Sequence, residues 1–369
     1  MRTRHPLIIA LCSLIPLVAS AAEPNATVAR NVIIVTIDGL RWQEVMGGYD
    51  PALNTKDGGG VGSPAALERL WRKTSAEEAR QMLMPFFWQT VATKGQVFGD
   101  RGLKNVGHVT NPYRFSYPGY SELFCGFADP RIDSNKAIPN PNVTVFEWLN
   151  RQPGFEGKVA VYGAWDVVKA IVNNQRSGIR AVAGWDPIAP VAGASLSETE
   201  KLVNELLATS TRQWADEPPD ALIAQAALDH FVRQKPRVFW VSLGEPDEWA
   251  HGRRYDLYLE STRRCDEFVK KLWETAQAMP EYAGNTALII TTDHGRGVTP
   301  ADWTSHGARV VGAEGWWAGV MGPGIAAKGV AGEGEVVQSQ IAATVAALIG
   351  QDWLAAEKRA AESLVKLGK

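Results

Sequence analysis

Cysteine is nearly absent from this chain: three residues in 369, with no Cys-x-x-Cys spacing. That scarcity excludes a disulfide-stapled scaffold, a thiolate zinc finger and dithiol redox chemistry. An excess of either charge is lacking too, since 38 Lys plus Arg stand against 40 Asp plus Glu, for a formal net charge of -2. No basic surface marks nucleic acid or an anionic membrane as the main partner, so a localised small-molecule site is the expectation. Long apolar runs are also wanting. The most apolar segment, Leu7 to Val18, falls short of the ~20 residues that span a bilayer.

What is present begins with an export pattern. The opening MRTRHPLIIALCSLIPLVASAAEP combines a basic start, that apolar segment and the small residues Ala19 to Ala22. It predicts a secretory signal peptide over residues 1–22, cleaved after roughly Ala21 or Ala22. Leu11 before Cys12 is not the small residue that a lipoprotein anchor requires. The mature chain, 23–369, is expected to be one exported domain, periplasmic or extracellular, with no membrane span. Losing Arg2 and Arg4 takes the basic count from 38 to 36 against 40 acids. Cys125 and Cys265 remain in a compartment that permits disulfides; pairing and two free buried thiols both stay open.

Hydrophobic residues make up 45% of the chain, enough for a sizeable core. Short aliphatic runs at 31–38, 158–165, 237–245, 286–295 and 316–325 predict strands, and the amphipathic stretches 197–213, 219–234, 254–277 and 336–350 predict helices. The closing LAAEKRAAESLVKLGK predicts a charged amphipathic helix. Continuous apolar strands alternating with helices give an α/β fold: a mostly parallel central sheet with helices on both faces. Segments 41–96 and 171–218 fall outside this alternation and are expected to form lids over the site. The glycine-rich stretch 49–64 follows no strand and lacks the Lys-Ser/Thr of a phosphate loop, so a plain loop is expected there.

Ligands of such sheets bind beyond the carboxyl ends of the strands. Strand 31–38 ends in Asp38, strand 237–245 runs into Glu245-Pro246-Asp247, and strand 286–292 ends in Asp293-His294. Of six histidines, His230 falls in a helical pattern where a core or surface role is expected rather than ligation. His251 is four residues after Asp247, one helical turn, and His306 follows in the loop WTSHG. Asp38, Asp247, His251, Asp293, His294 and His306 thus offer more carboxylates and imidazoles than one ion needs. Two divalent cations are expected, and the mixed N/O donors suit zinc.

A nucleophile has to come from elsewhere. Ser116 precedes Tyr117-Pro118, a sequence that starts helices with proline near the first position. A hydroxyl there has backbone N–H groups beside it for an anion; the plainer expectation is a helix cap. Trp42, Trp165, Trp249 and Trp303 stand near these residues in sequence and could belong either to the core or to an aromatic wall.

The pieces IVTIDGLRW, FSYPGYSELFCG, EPDEWAHG, TTDHG and SHG, in this order along nearly the whole mature chain, resemble the alkaline phosphatase superfamily. Within it they are most similar to the type I phosphodiesterase/nucleotide pyrophosphatase branch, with sulfatases as neighbours. The resemblance implies one metal held by Asp38, Ser116, Asp293 and His294, and a second held by Asp247, His251 and His306. It implies that Ser116 attacks phosphorus to form a covalent phosphoserine, and that Asn135 binds a nonbridging phosphate oxygen. Departures from the pattern bear on substrate. Tyr120 stands where sulfatases have arginine, and Tyr117 where the monoesterases place theirs, which favours a monoanionic diester unless Arg41, Lys104 or Arg114 substitutes. The expected activity is therefore an exported phosphoric ester hydrolase acting on a small-molecule diester. A monoesterase, phosphonate hydrolase or sulfatase-like enzyme, and a non-catalytic phosphate-ester-binding protein, are the alternatives.

Overall fold

A computed structural model describes residues 28–73 and 75–368. The expected signal peptide, 1–22, lies outside the described residues. Among the described residues the strands are β1 (Asn31–Ile37), β2 (Gly95–Phe98), β3 (Asn105–His108), β4 (Val159–Gly163), β5 (Arg180–Ala183), β6 (Val238–Leu243), β7 (Thr286–Thr291), β8 (Ala318–Met321), β9 (Gly329–Val330) and β10 (Gly334–Val337). Eight of them form one sheet in the order β5-β4-β6-β1-β7-β8-β2-β9. From β5 to β7 every pairing is parallel; β8 runs antiparallel to both β7 and β2. β10 and β3 make a separate parallel pair.

The central strand explains the sequence pattern. All of NVIIVTI in β1 is buried, with Ile33, Val35 and Ile37 in one hydrophobic cluster and Val32 and Ile34 in another. A strand covered on both faces gains from apolar residues at every position, hence the unbroken run. Tyr255–Ala278 packs in the first cluster and Gln340–Leu348 in the second, which gives the helix–sheet–helix layering. This is the alkaline-phosphatase-like α/β arrangement expected from the sequence.

Three regions differ from expectation. Segment 171–218 is not wholly peripheral, because its residues 180–183 form edge strand β5. Segment 41–96 likewise sends Val45, Met46, Phe87 and Trp88 into the core. At the C-terminus only Trp353–Ala356 is helical. Beyond it the chain is tied down by tertiary contacts: Ala361 N–H donates to Gly126 O at 2.9 Å, Leu364 N–H donates to Thr344 Oγ1 at 2.8 Å, and Val365 is buried. Those contacts satisfy backbone groups that an isolated amphipathic helix would have satisfied internally. Cys125 and Cys265 are buried free thiols in different parts of the core.

Candidate metal centre

β6, β1 and β7 lie side by side and parallel, so their carboxyl ends open at one edge of the sheet. Asp38 follows β1 directly. Asp293 and His294 come two and three residues after β7. After β6 the chain enters the short helix Glu245–His251, which carries Asp247 and His251. Ser116 opens the helix Ser116–Cys125, whose N-cap is Phe115, and no side chain caps it. The cap role anticipated for Ser116 is therefore not the one it plays: its Oγ lies 3.3 Å from His294 Nε2.

His294 is the hub of the arrangement. Its Nδ1 lies 2.9 Å from the carbonyl of Gly295, a contact that holds a proton on Nδ1 and turns Nε2 toward the carboxylates. Around Nε2 stand Asp38 Oδ1 at 3.3 Å, Asp293 Oδ2 at 3.4 Å and Asp247 Oδ1 at 3.7 Å. Asp38 Oδ1 and Asp293 Oδ2 are buried without a hydrogen-bond partner. The remaining oxygens are held in place: Asp38 Oδ2 accepts from Tyr120 Oη at 3.0 Å, and Asp293 Oδ1 accepts from Gly39 N–H at 3.1 Å.

The second group adjoins the first. His251 Nε2 is 3.0 Å from Asp247 Oδ2 and 3.0 Å from His306 Nε2. Asp38, Asp293 and His294 offer ligand atoms within 4.8 Å of one another, and so do Asp247, His294 and His306. His251 completes the latter set from the exposed rim.

Electrostatics mark the same residues. Burial, reinforced by Asp247, raises the Asp38 carboxyl above its ordinary range, and burial with Asp38 raises Asp293. Burial opposes a charge on His294, but Asp293 and Asp38 outweigh it and lift the imidazole to about 9. His306 is pushed down by burial and by His294. Buried acids that repel one another, with two carboxylate oxygens converging on an imidazole nitrogen that gives up its proton to a metal, are a donor set that a divalent cation satisfies.

The centre opens into a cavity of about 170 Å³ lined by Asp38, Ser116, Asn135, Trp165, Asp216, Glu217, Asp247, Glu248, His251 and His306. Asn135 Oδ1 accepts from Tyr117 N–H at 3.0 Å, which leaves its amide donors free. Of the four tryptophans near the site in sequence, only Trp165 lines the cavity. Trp303 is core and donates to Gly58 O, Trp42 lies beside Gly315, and Trp249 packs edge-on against Trp214. Arg41 is committed to Glu44 and the Gly297 carbonyl, Arg114 to Glu314, and Lys104 is an exposed turn residue. None of the three lines the cavity. His230 is buried against Tyr162 and Phe239, which decides for the core between the core and surface roles expected for it.

Several participants carried no sequence signal of their own. Tyr120 is four residues after Ser116 on one helix face, a spacing that could have identified it. Arg296 is fully buried; it pairs with Asp247 Oδ1 and donates to the carbonyls of Asp247 and Thr304 at 3.0 and 2.7 Å. Burial raises the Asp247 carboxyl, and Arg296 and His251 more than reverse that, holding it well below the usual carboxylate range. Asp216, Glu217 and Glu248 reach the cavity from a linker and a helix turn.

The family described as Type I phosphodiesterase / nucleotide pyrophosphatase matches residues 62–357. A stretch of 73 residues is 27% identical to the 2,3-bisphosphoglycerate-independent phosphoglycerate mutase of Gracilaria tenuistipitata var. liui, covering 20% of this chain and only 13% of that one. Among solved structures, a protein in the alkaline phosphatase superfamily from Vibrio parahaemolyticus superposes with a TM-score of 0.52 and 13% identity, covering 89% of this chain and 69% of the other. The lipoteichoic acid synthase LtaP from Listeria monocytogenes gives 0.51 and 10%, with 89% and 74% covered. A 2-O GAG sulfatase gives 0.51 and 13%, with 91% and 73% covered. At such identities the structural likeness is one of fold. The family match covers most of the chain and assigns it: the protein belongs to the type I phosphodiesterase / nucleotide pyrophosphatase family.

Proposed function

We propose that the protein is an exported, two-metal phosphodiesterase that works through a covalent phosphoserine on Ser116. The observation that carries this reading is the ring of oxygens from Asp38, Asp293, Asp247 and Ser116 within 3.3–3.7 Å of Nε2 of His294. Asp38, Ser116, Asp293 and His294 would hold one ion, and Asp247, His251 and His306 the other, with zinc favoured by the mixed imidazole and carboxylate donors. Bound there, the ions supply Lewis acidity, lowering hydroxyl pKa values and offsetting charge on phosphate oxygens.

The chain's own residues supply the rest. Ser116 gives up its hydroxyl proton as Oγ attacks phosphorus, the Oγ–P bond forms as the bond to the leaving alkoxide breaks, and the departing oxygen takes up a proton to leave as an alcohol. Water then cleaves the phosphoserine and restores the hydroxyl. Asn135, its Oδ1 fixed by Tyr117 N–H, turns amide donors toward a nonbridging phosphate oxygen. Tyr120 and Gly39 hold the carboxylates of Asp38 and Asp293 at fixed angles. No lysine or arginine is among the residues lining the cavity, which suits a monoanionic diester better than a dianionic monoester.

The test is a panel of aryl phosphate diester, monoester, phosphonate and sulfate on one preparation, with Ser116→Ala beside the wild type. Fastest turnover is expected on the diester, with loss of at least about 10³-fold in the variant. Full activity in Ser116→Ala would sink the covalent route, and a preference for monoester or sulfate would sink the diester assignment. Export is checked by sequencing the N-terminus of protein recovered from outside the cytoplasm, where a start near Ala22 or Glu23 is expected.

A further inference from the structure

The helix that carries Asp247 and His251 is a short one to hold two metal ligands. Glu245–His251 has seven residues, its N-cap Gly244 has no side chain to close the end, and Pro246 lies in its first turn. A helix of that length has little stability of its own, so its orientation has to come from outside it. Next to its start lies the start of a longer helix, Asp220–Gln234, whose N-cap Pro219 makes no side-chain bond either. Each end is closed by the other. Asp220 Oδ1 accepts from Gly244 N–H at 2.8 Å and Oδ2 from Glu245 N–H at 3.1 Å, while Glu245 Oε1 accepts from Asp220 N–H at 3.1 Å. The pairing is a capping box built between two helices rather than within one. Burial and Glu245 raise the Asp220 carboxyl, but carboxyl oxygens accept from amides in either protonation state, so the clasp does not depend on charge.

The clasp reaches the metal centre through one peptide unit. Gly244 N–H is held by Asp220, and the carbonyl of Gly244 accepts from the N–H of Asp247 at 3.0 Å. His251 lies one turn beyond Asp247 on the same face. A tilt of the first turn therefore moves both ligands, whereas Asp38, Ser116, Asp293 and His294 sit on other elements. Asp220 itself lies behind the site. With Leu243, Glu245 and Cys265 it lines a separate cavity of about 300 Å³ that shares no lining residue with the catalytic one.

We infer that Asp220 is a positioning residue for the ion of Asp247, His251 and His306: it fixes the angle at which Asp247 and His251 meet that ion, and so sets the ion's affinity. The inference rests on the two-metal reading above and adds to it a residue that touches neither the ion nor the substrate.

The test is zinc binding to the full protein, stripped of metal and titrated in chelator-buffered zinc, with ions per chain counted by elemental analysis. His251→Ala, which removes a ligand, identifies the dissociation constant that belongs to the second ion. Asp220→Ala is expected to raise that same constant about 10–100-fold and to leave the other within about twofold. Added to His251→Ala, it should leave the affinity of the remaining ion unmoved. Excess zinc should restore diester turnover in Asp220→Ala, a rescue that general loss of the fold would not permit. Asp220→Asn keeps one acceptor but turns its amide N–H₂ against the other donor; a rise of at least about threefold in the same constant is expected, and this variant decides the matter where the alanine fails to fold. Two ions bound by the wild type, with the second constant unchanged in the Asp220 variants or both constants moved alike, overturns the inference and leaves the two-metal reading intact. A wild type that does not take up two ions overturns that reading and the inference with it.

Discussion

At the scale of single residues, this protein keeps ionisable groups in places where burial alone would neutralise them, and the neighbour decides the outcome each time. Asp247 stays charged because Arg296 is locked against it. His294 is drawn up by carboxylates, whereas His230, packed between Tyr162 and Phe239, has only Asp229 to oppose its burial. Burial and then Arg180 push His230 down to about 3 from an ordinary 6.5. The sign follows from linkage. A group whose folded-state pKa is depressed contributes stability that is present above 6.5 and lost as pH falls toward 3, because only the unfolded chain binds the proton. Urea midpoints of the metal-free protein should therefore fall between pH 6.5 and 4, with up to about 1.4 kcal/mol per pH unit from His230. His230→Leu should flatten that slope; an unchanged slope would remove His230 from the account.

At the scale of elements, the nucleophile depends on how closely one helix seats against the turn after β7. Gly119 sits one turn into Ser116–Cys125, and a Cβ there would approach Asp293 O to 2.4 Å. The helix can lie that close only because residue 119 has no side chain. Gly119→Ala is expected to push the helix away, costing roughly 1–3 kcal/mol by overpacking and carrying Ser116 out of line with His294. Misplacement on the order of 1 Å lowers turnover about 10²-fold. A thermal melt read beside a diesterase assay checks both parts, and wild-type turnover in the variant would contradict the seating argument. Gly39 makes a parallel demand in the loop after β1, with φ +57° and Asp247 Oδ1 2.1 Å from where a Cβ would stand.

At the scale of the whole molecule, the acids gathered at one sheet edge repel one another in a buried place, and bound cations would relieve that repulsion. Asp38 is raised by burial and by Asp247, and Asp293 by burial and by Asp38, a cost that a divalent ion would relieve. Ligand that binds the folded state alone stabilises by RT ln(1 + [L]/Kd), about 2.7 kcal/mol at a hundredfold excess over Kd. Chelation is thus expected to abolish diester hydrolysis and lower the melting temperature by several degrees. Zinc should restore both, at about two ions per chain by elemental analysis. A melting temperature unmoved by chelation and readdition would mean that the acid cluster is stable without metal.

Much of this was legible in the chain itself, for identifiable reasons. Strands buried on both faces must be apolar at every position, so β1, β4, β6 and β7 announced themselves, and polar residues at their ends stood out as Asp38 and Asp293-His294. Asp247 and His251 followed from a one-turn spacing. Strands β2, β3 and β5 are only four residues long, too short for a pattern, and the C-terminal tail lost its helix to contacts with Gly126 and Thr344. The sequence alone thus determined the fold class and which residue types crowd the sheet edge, since both follow from local periodicity and strand polarity. Tertiary structure alone decided that Ser116 faces His294 rather than capping its helix, that Arg296 holds Asp247, and that Glu217 turns toward the cavity. Those relations join residues 49 to 178 positions apart or turn on cavity shape, and no local pattern encodes a distance between elements that meet only when the sheet closes.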